Sequence, residues 1–193
     1  AGAFQNAMRT ALNMDLTQVL SLGDAINHVS NNMAATAPDL TNFVTRVAGD
    51  LGALGFSAEE AIAFGAAMIA SGHGADVAAT SFRNMGRYLT LGASNSNRTK
   101  DALERIGLTA TDVARRMQED AVGTTLDVFE RIGQMPAEVQ AALRADIFGN
   151  EARALPGVIS NLDLIREALG YVEDESEYAG SAFSEFEARA ATF

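Results

Sequence analysis

The chain has no cysteine and no tryptophan, and only 3 prolines and 2 histidines among 193 residues. Without cysteine there are no disulfides and no thiolate metal sites, and cysteine usage says nothing of the redox compartment. Three prolines against 17 glycines mean that helices here are ended mainly by glycine. Strand signals are also missing: no stretch sustains a two-residue alternation of β-branched and polar residues, and no Asn-Gly or Asp-Gly hairpin joins two such runs. Positive charge is scarce, with 14 Lys and Arg against 25 Asp and Glu for a net charge of −11. An acidic surface repels a phosphate backbone and no basic patch reverses the balance, so direct nucleic-acid binding is not expected. The uncharged stretch at residues 61–75 falls short of the roughly 20 apolar residues that cross a bilayer, being interrupted by glycines, a serine and a histidine. Whether any segment contacts a membrane is left open.

What is present is a globular composition, 48% hydrophobic and 20% charged, in a chain long enough for one substantial domain. Its organising stretch is residues 53–85. Gly55 can take the left-handed conformation that closes one helix, and Ser57 with Glu60 has the spacing of a capping box that opens the next. Ala61, Phe64, Gly65, Met68 and Ile69 then recur at helical spacing, with small residues that permit close helix contact. Gly72-His73-Gly74 makes a corner, and a further helix runs to about Leu89 with Val77, Ala78, Ser81, Phe82, Met85 and Leu89 inward.

Earlier in the chain, Phe4, Met8, Leu12, Leu16, Val19 and Leu20 form a stripe softly broken near Asn13. A helix is expected over residues 24–35 with Asp24 at its positive end. Thr36-Ala-Pro-Asp39 starts another, whose inward face is Leu40, Phe43, Val44, Val47, Leu51 and Leu54. Later, residues 91–98 read as the clearest loop in the chain and the preferred proteolysis point. Gly107-Leu108-Thr109-Ala110-Thr111-Asp112 repeats the order of glycine stop, apolar staple, hydroxyl cap and acid seen at Gly55-Phe56-Ser57. Val122, Leu126, Phe129 and Ile132, then Val139, Leu143 and Ile147, mark two more helices. Residues 150–172 are expected to be helical with a break at Pro156-Gly157, and with Val158, Leu162, Ile165 and Leu169 inward. The expected fold is all-α, a compact multi-helix array of about eight to ten short helices joined by glycine-capped turns. Residues 1–172 make the helical domain. In residues 173–193, Glu173, Asp174, Glu175, Glu177, Glu185 and Glu187 stand against Arg189 alone. That segment is expected to be an acidic, partly exposed helix leading out of the domain, with Phe183, Phe186 and Phe193 packed on the domain or on another copy of the chain.

Chemistry is sparsely signalled. His28 and His73 would be the natural bases for a nucleophile, and neither has an acid or a second histidine beside it in sequence. Glu59-Glu60 is accounted for by helix capping, and residues 173–177 lack the glycine and the alternating oxygen ligands of an EF-hand. Arg115-Arg116 and the Arg83 to Arg87 pair read as solvated faces, and no phosphate loop or zinc spacing occurs. No catalytic, cofactor-binding or metal-binding residue is assigned, no cofactor is expected, and the chain reads as non-enzymatic.

Taken in order, Gly55-Phe-Ser-Ala-Glu-Glu-Ala, Ala70-Ser71-Gly72, Ala78-Ala-Thr-Ser-Phe-Arg-Asn-Met85, Leu103-Glu-Arg-Ile-Gly107-Leu-Thr and Ile147-Phe148-Gly149 resemble the tail tape measure proteins of long-tailed bacteriophages and related particles. The likeness runs over residues 15–170. It departs at Ala75 and Ala79, where the family often has glycine, at Gly74, which sits one residue early, and around Gly92, which replaces a proline. The resemblance implies a structural protein inside the lumen of the tail tube of the virion, made in the bacterial host cytoplasm, that sets tail length and organises assembly. It implies tail tube proteins, tail-tip or baseplate proteins and tail assembly chaperones as partners, with self-association as a further expectation, and it carries over no catalytic residue. An opening Ala-Gly-Ala-Phe, without initiator methionine or signal sequence, reads as a segment of a longer protein. As one straight helix 193 residues would span about 290 Å, but the glycine connectors forbid that rod, so this segment is folded and is not itself the ruler. The alternative is a helical protein-binding module, a secreted effector or adaptor without catalytic activity.

Overall fold

In a computed structural model, which describes residues 2–192, capping and apolar spacing produce helices throughout and no strand among the described residues. The helices are α1 (Gly2–Leu12), α2 (Leu16–Asn32), α3 (Ala37–Val47), α4 (Leu51–Leu54), α5 (Ala58–Ala70), α6 (Ala75–Thr90), α7 (Asn97–Arg105), α8 (Ala110–Glu119), α9 (Ala121–Gly133), α10 (Ala137–Phe148), α11 (Leu155–Ile159), α12 (Asp163–Glu173), α13 (Glu175–Tyr178) and α14 (Ser181–Ala190). The all-α expectation holds. The count is close to the expected eight to ten once the single turns α4 and α13 and the five-residue α11 are set aside.

The centre of the array is α5, which is buried at every position from Ala61 to Ile69. Its start follows from reciprocal bonds: the Glu60 amide donates to Ser57 Oγ at 3.1 Å and the Ser57 amide to Glu60 Oε2 at 2.9 Å. Ahead of it, Gly55 adopts φ 87°, and the Gly55 and Phe56 amides both donate to the Leu51 carbonyl. A Cβ on Gly55 would lie 2.5 Å from the Met117 carbonyl oxygen, so both the turn and the neighbouring backbone require glycine. Along α5, Gly65 lets the Phe43 ring approach so closely that a Cβ would sit 2.5 Å from it. Helices α2, α3, α6 and α11 lie against α5, and α12 packs on it most extensively.

Phe43, Phe56, Phe64 and Phe82, from α3, the turn, α5 and α6, form one aromatic cluster with ring centroids 5.0 to 6.1 Å apart and tilted or edge-on contacts. The expected inward face of the third helix, Leu40 through Leu54, is buried along its whole length, and its backbone tightens into a 3₁₀ turn at residues 48–50 without losing the stripe. A smaller edge-on pair, Phe129 and Phe148, joins α9 to α10. Buried polar groups tie the layers together: Ser81 Oγ accepts from the Ala154 amide at 3.0 Å, and Thr99 Oγ1 donates to the Asp146 carbonyl at 2.9 Å.

The second glycine connector has the geometry of the first. Gly107 has φ 80°, the Leu108 amide donates to the Leu103 carbonyl, and Thr109 Oγ1 accepts from the Asp112 amide. Here the acid does not return to the cap; Asp112 bonds Arg115 instead.

Two expectations are corrected. Helix α2 begins at a capping box between Asp15 and Gln18 and continues through Gly23 and Asp24, because Val19, Leu22, Ile26 and Val29 form one unbroken inward stripe. Asp24 therefore sits in the middle of a helix. Pro156 and Gly157 do not break a helix; Pro156 lies in the first turn of α11, where its missing N–H costs nothing, and the break falls at residues 160–162. Residues 91–98 connect α6 to α7 as expected of a loop, with Ala93, Ser94, Ser96, Asn97 and Arg98 exposed, while a 3₁₀ turn buries Gly92 and Asn95, and Asn95 Nδ2 donates to the Tyr88 carbonyl at 2.9 Å.

Candidate functional site

The residues that sequence reasoning weighed for chemistry are dispersed. His28, half-buried on α2, meets the Tyr171 ring edge-on at 5.6 Å, while Tyr171 donates to Glu167 at 3.1 Å. That hydrogen bond, then burial and the Glu167 charge, raise the Tyr171 phenol above its ordinary value. His73 lies half-buried in the corner between α5 and α6. Arg115 bridges Asp112 and Glu119 on one helix face at 2.6 and 2.7 Å. Arg87 lies against the Tyr88 ring. Among the described residues no group of three His, Asp, Glu or Cys could hold a metal ion.

One charged network was not legible in the sequence. Asp127 accepts from Arg116 at 2.9 Å and from Arg131 Nε at 2.8 Å, and Arg131 also donates to the Ile106 carbonyl at 2.9 Å. Burial pushes the Asp127 carboxyl up, but the hydrogen bonds from Arg131 and Arg116 and their charges outweigh it and hold the group below the ordinary aspartate range. The network pins α8 and α9 to the second glycine connector, so its role is to hold the fold.

Two surface features bring together residues far apart in the chain. The first is a groove of about 680 Å³ bounded by Ser57, Glu59 and Glu60 at the start of α5, Val122 of α9, Leu169, Val172 and Glu173 of α12, and Glu175 and Tyr178 of α13. Its floor is apolar and its rim is carboxylate. Glu59 and Glu175 also wall an adjoining depression of about 310 Å³ that reaches Met14, Thr17, Gln18 and Ser21. Tyr178 is 4% exposed at the groove wall, and its phenol is raised by burial and then by Glu59, with Ser21 opposing and Glu175 and Asp174 adding to the rise. Chain separation hides this site in the sequence, where Glu59 and Glu60 read as caps and residues 173–177 as part of an acidic, partly exposed helix. Only folding brings them onto one groove.

The second feature is α14 on α2. Asp24 accepts from the Gly180 amide at 2.9 Å and the Ala182 amide at 3.0 Å, and Asn27 Nδ2 donates to Ser181 Oγ at 2.8 Å. Asp24 thus caps a helix 156 residues away in the chain. No residue of α14 is buried, and Phe183 and Phe186 are 65% and 69% exposed and so not packed into the domain, while Phe193 lies outside the described residues. The signal that points to this contact is Gly180 followed by a helix whose own N-cap position has no side chain.

No helix among the described residues is long and apolar enough to cross a membrane. Comparison with known proteins gives the family. Residues 1–149 match the family described as phage-related minor tail protein. A probable tape measure protein of Halomonas phage phiHAP-1 is 35% identical over 193 residues, which is 100% of this chain and 22% of that protein. The chain thus spans about a fifth of the length of the curated relative it matches. No solved structure matches it.

Proposed function

The chain belongs to the family of phage-related minor tail proteins, a structural component of a phage-type tail, and from that premise we propose that it is a folded, non-catalytic segment of a tape measure protein. The observation that carries this reading is the 35% identity to a probable tape measure protein along all 193 residues. In this reading the parent protein lies in the lumen of the tail tube after synthesis in the host cytoplasm, sets tail length and organises assembly. Its partners are tail tube proteins, tail-tip or baseplate proteins and tail assembly chaperones, and the apolar face of α14 carries self-association. Residues 1–172 are the helical domain, and residues 173–193 are the acidic segment through which the chain leaves it.

Physics supports dividing the labour this way. Successive helices α5 and α6 are separated by a turn at Gly72, with φ 102°, and pack on each other, so this segment contributes a compact body and not length. The ruler must then lie in other parts of the parent chain. In-frame deletions there, in a tailed-particle assembly system, are expected to shorten the tails in proportion while this segment remains folded. Tails of unchanged length would overturn the reading.

A further inference from the structure

The acid-rimmed groove is served by hydrogen bonds but by no cationic side chain: Glu60 accepts from the Ser57 amide in the first turn of α5, and Glu175 accepts from Ser21 Oγ at 2.6 Å. Glu59, Glu60, Glu173 and Glu175 take part in none of the ion pairs among the described residues, and no lysine or arginine lines the groove or the adjoining depression. Helix α12 ends here with Glu173 and no basic residue in its last turn. A helix C-terminus carries partial negative charge and favours a cation, so this end is electrostatically inverted. The carboxylates are too dispersed to form a metal cage. A set of separated cationic side chains satisfies them better than a single ion.

Between the carboxylates lie Val122 and Leu169, half-buried, and Val172, buried at the floor. An apolar floor under a charged rim is the complement of a helix with an apolar ridge flanked by basic residues at i, i+3 and i+4. We propose that this groove docks a basic amphipathic helix of a partner protein, with its apolar ridge on Val122, Leu169 and Val172 and its Lys or Arg side chains on Glu59, Glu60, Glu173 and Glu175. A second copy of the chain is the poorer occupant, because it brings the same net charge of −11 toward an already negative surface. The proposal stands whether or not the parent protein sets tail length.

The test uses the full chain and a fluorescent synthetic peptide of about 18 residues, designed as a helix with a leucine ridge flanked by lysine and arginine, beside a mirror peptide with glutamate at the basic positions. Glu59→Gln, Glu173→Gln and Glu175→Gln are combined in one variant, leaving Glu60 to cap α5. A control variant combines Glu104→Gln, Glu130→Gln and Glu138→Gln, exposed carboxylates away from the groove, and reaches the same net charge. Fluorescence anisotropy is expected to show the basic peptide bound, about tenfold more weakly by the groove variant and unchanged by the control, with the difference shrinking at high salt. Equal losses in both variants would mean attraction to the net charge alone and would overturn the proposal, as would equal binding of the mirror peptide or no binding. If the groove variant melts early, hydrogen exchange on the unmodified chain decides: the peptide must protect Val122 and residues 169–178, and protection elsewhere defeats the claim. Sedimentation showing copies held together through the groove, and separated by the groove variant, would also overturn it.

Discussion

Helices α5 and α14 are of similar length, both are alanine-rich and both carry phenylalanine, yet one is the centre of the protein and the other lies on its surface. Phe64 on α5 is 0% exposed, while Phe183 and Phe186 on α14 are 65% and 69% exposed. The difference begins at their first turns. Helix α5 is opened by Ser57 and Glu60, its own neighbours in sequence, whereas α14 is opened by Asp24 of α2. It continues in their faces, since α5 is uncharged after Glu60 and has Gly65 where Phe43 must approach, whereas α14 carries Glu185, Glu187 and Arg189. A locally capped, uncharged helix can be surrounded on all sides. A helix capped from elsewhere is held by the contact that caps it.

The largest effect that sharpens this contrast is Phe64→Ala. The ring packs with Phe56 and Phe82 at 5.4 and 6.1 Å and has no solvent to relax into, so the cavity should cost about 3 to 5 kcal/mol in chemical denaturation. A loss below about 1 kcal/mol would break the comparison by showing that α5 is not the packing centre.

An intermediate effect is expected where charges, not apolar packing, join helices. Asp127→Asn keeps the shape but weakens the bonds to Arg116 and Arg131, at a cost of about 1 kcal/mol after discounting for partial exposure. Because the folded state lowers the Asp127 pKa, its contribution is fully present above the ordinary aspartate range and is lost as pH falls through the lowered value. Denaturation midpoints of the two proteins should therefore differ at neutral pH and converge in acid. A difference that persists unchanged in strong acid would remove the charge from the explanation.

These regimes also separate what was legible in the sequence from what was not. The start of α5, its buried stripe, the aromatic faces of α3 and α6 and both glycine connectors were readable because each is decided within about one or two helical turns by caps and spacing. Gly23-Asp24 was misread as a boundary, since the residues that use Asp24 lie at Gly180 and Ala182. Pro156 was misread as a break because a proline in a first turn and a proline in an interior look alike until the start of the helix is known. The acid groove was invisible for the same reason as the Asp24 cap: Glu59 and Glu175 are far apart in the chain and meet only through the packing of α12 on α5.

Asp24→Ala tests the distant cap directly. It removes both acceptors for the Gly180 and Ala182 amides and should cost about 1 kcal/mol or less, confined to α14. Hydrogen exchange should quicken in residues 181–190 and stay unchanged in α5. Quickening across α5 as well would show that α14 is part of the central cooperative unit.

The smallest expected effect on stability is the double change Phe183→Ser and Phe186→Ser. Both rings are mostly in water in the folded chain, so their removal takes little apolar surface out of the folded state and should move the denaturation midpoint by less than about 0.5 kcal/mol. The same exposure lets them gain by association, because two large rings on adjacent turns of a helix form an apolar surface that is mostly uncovered among the described residues. Sedimentation over a range of concentrations should therefore show less self-association for the double variant at unchanged stability. If both proteins sediment alike at every concentration, α14 does not carry self-association. If stability falls by about 2 kcal/mol or more, the two rings contribute to the core and the contrast with Phe64 fails.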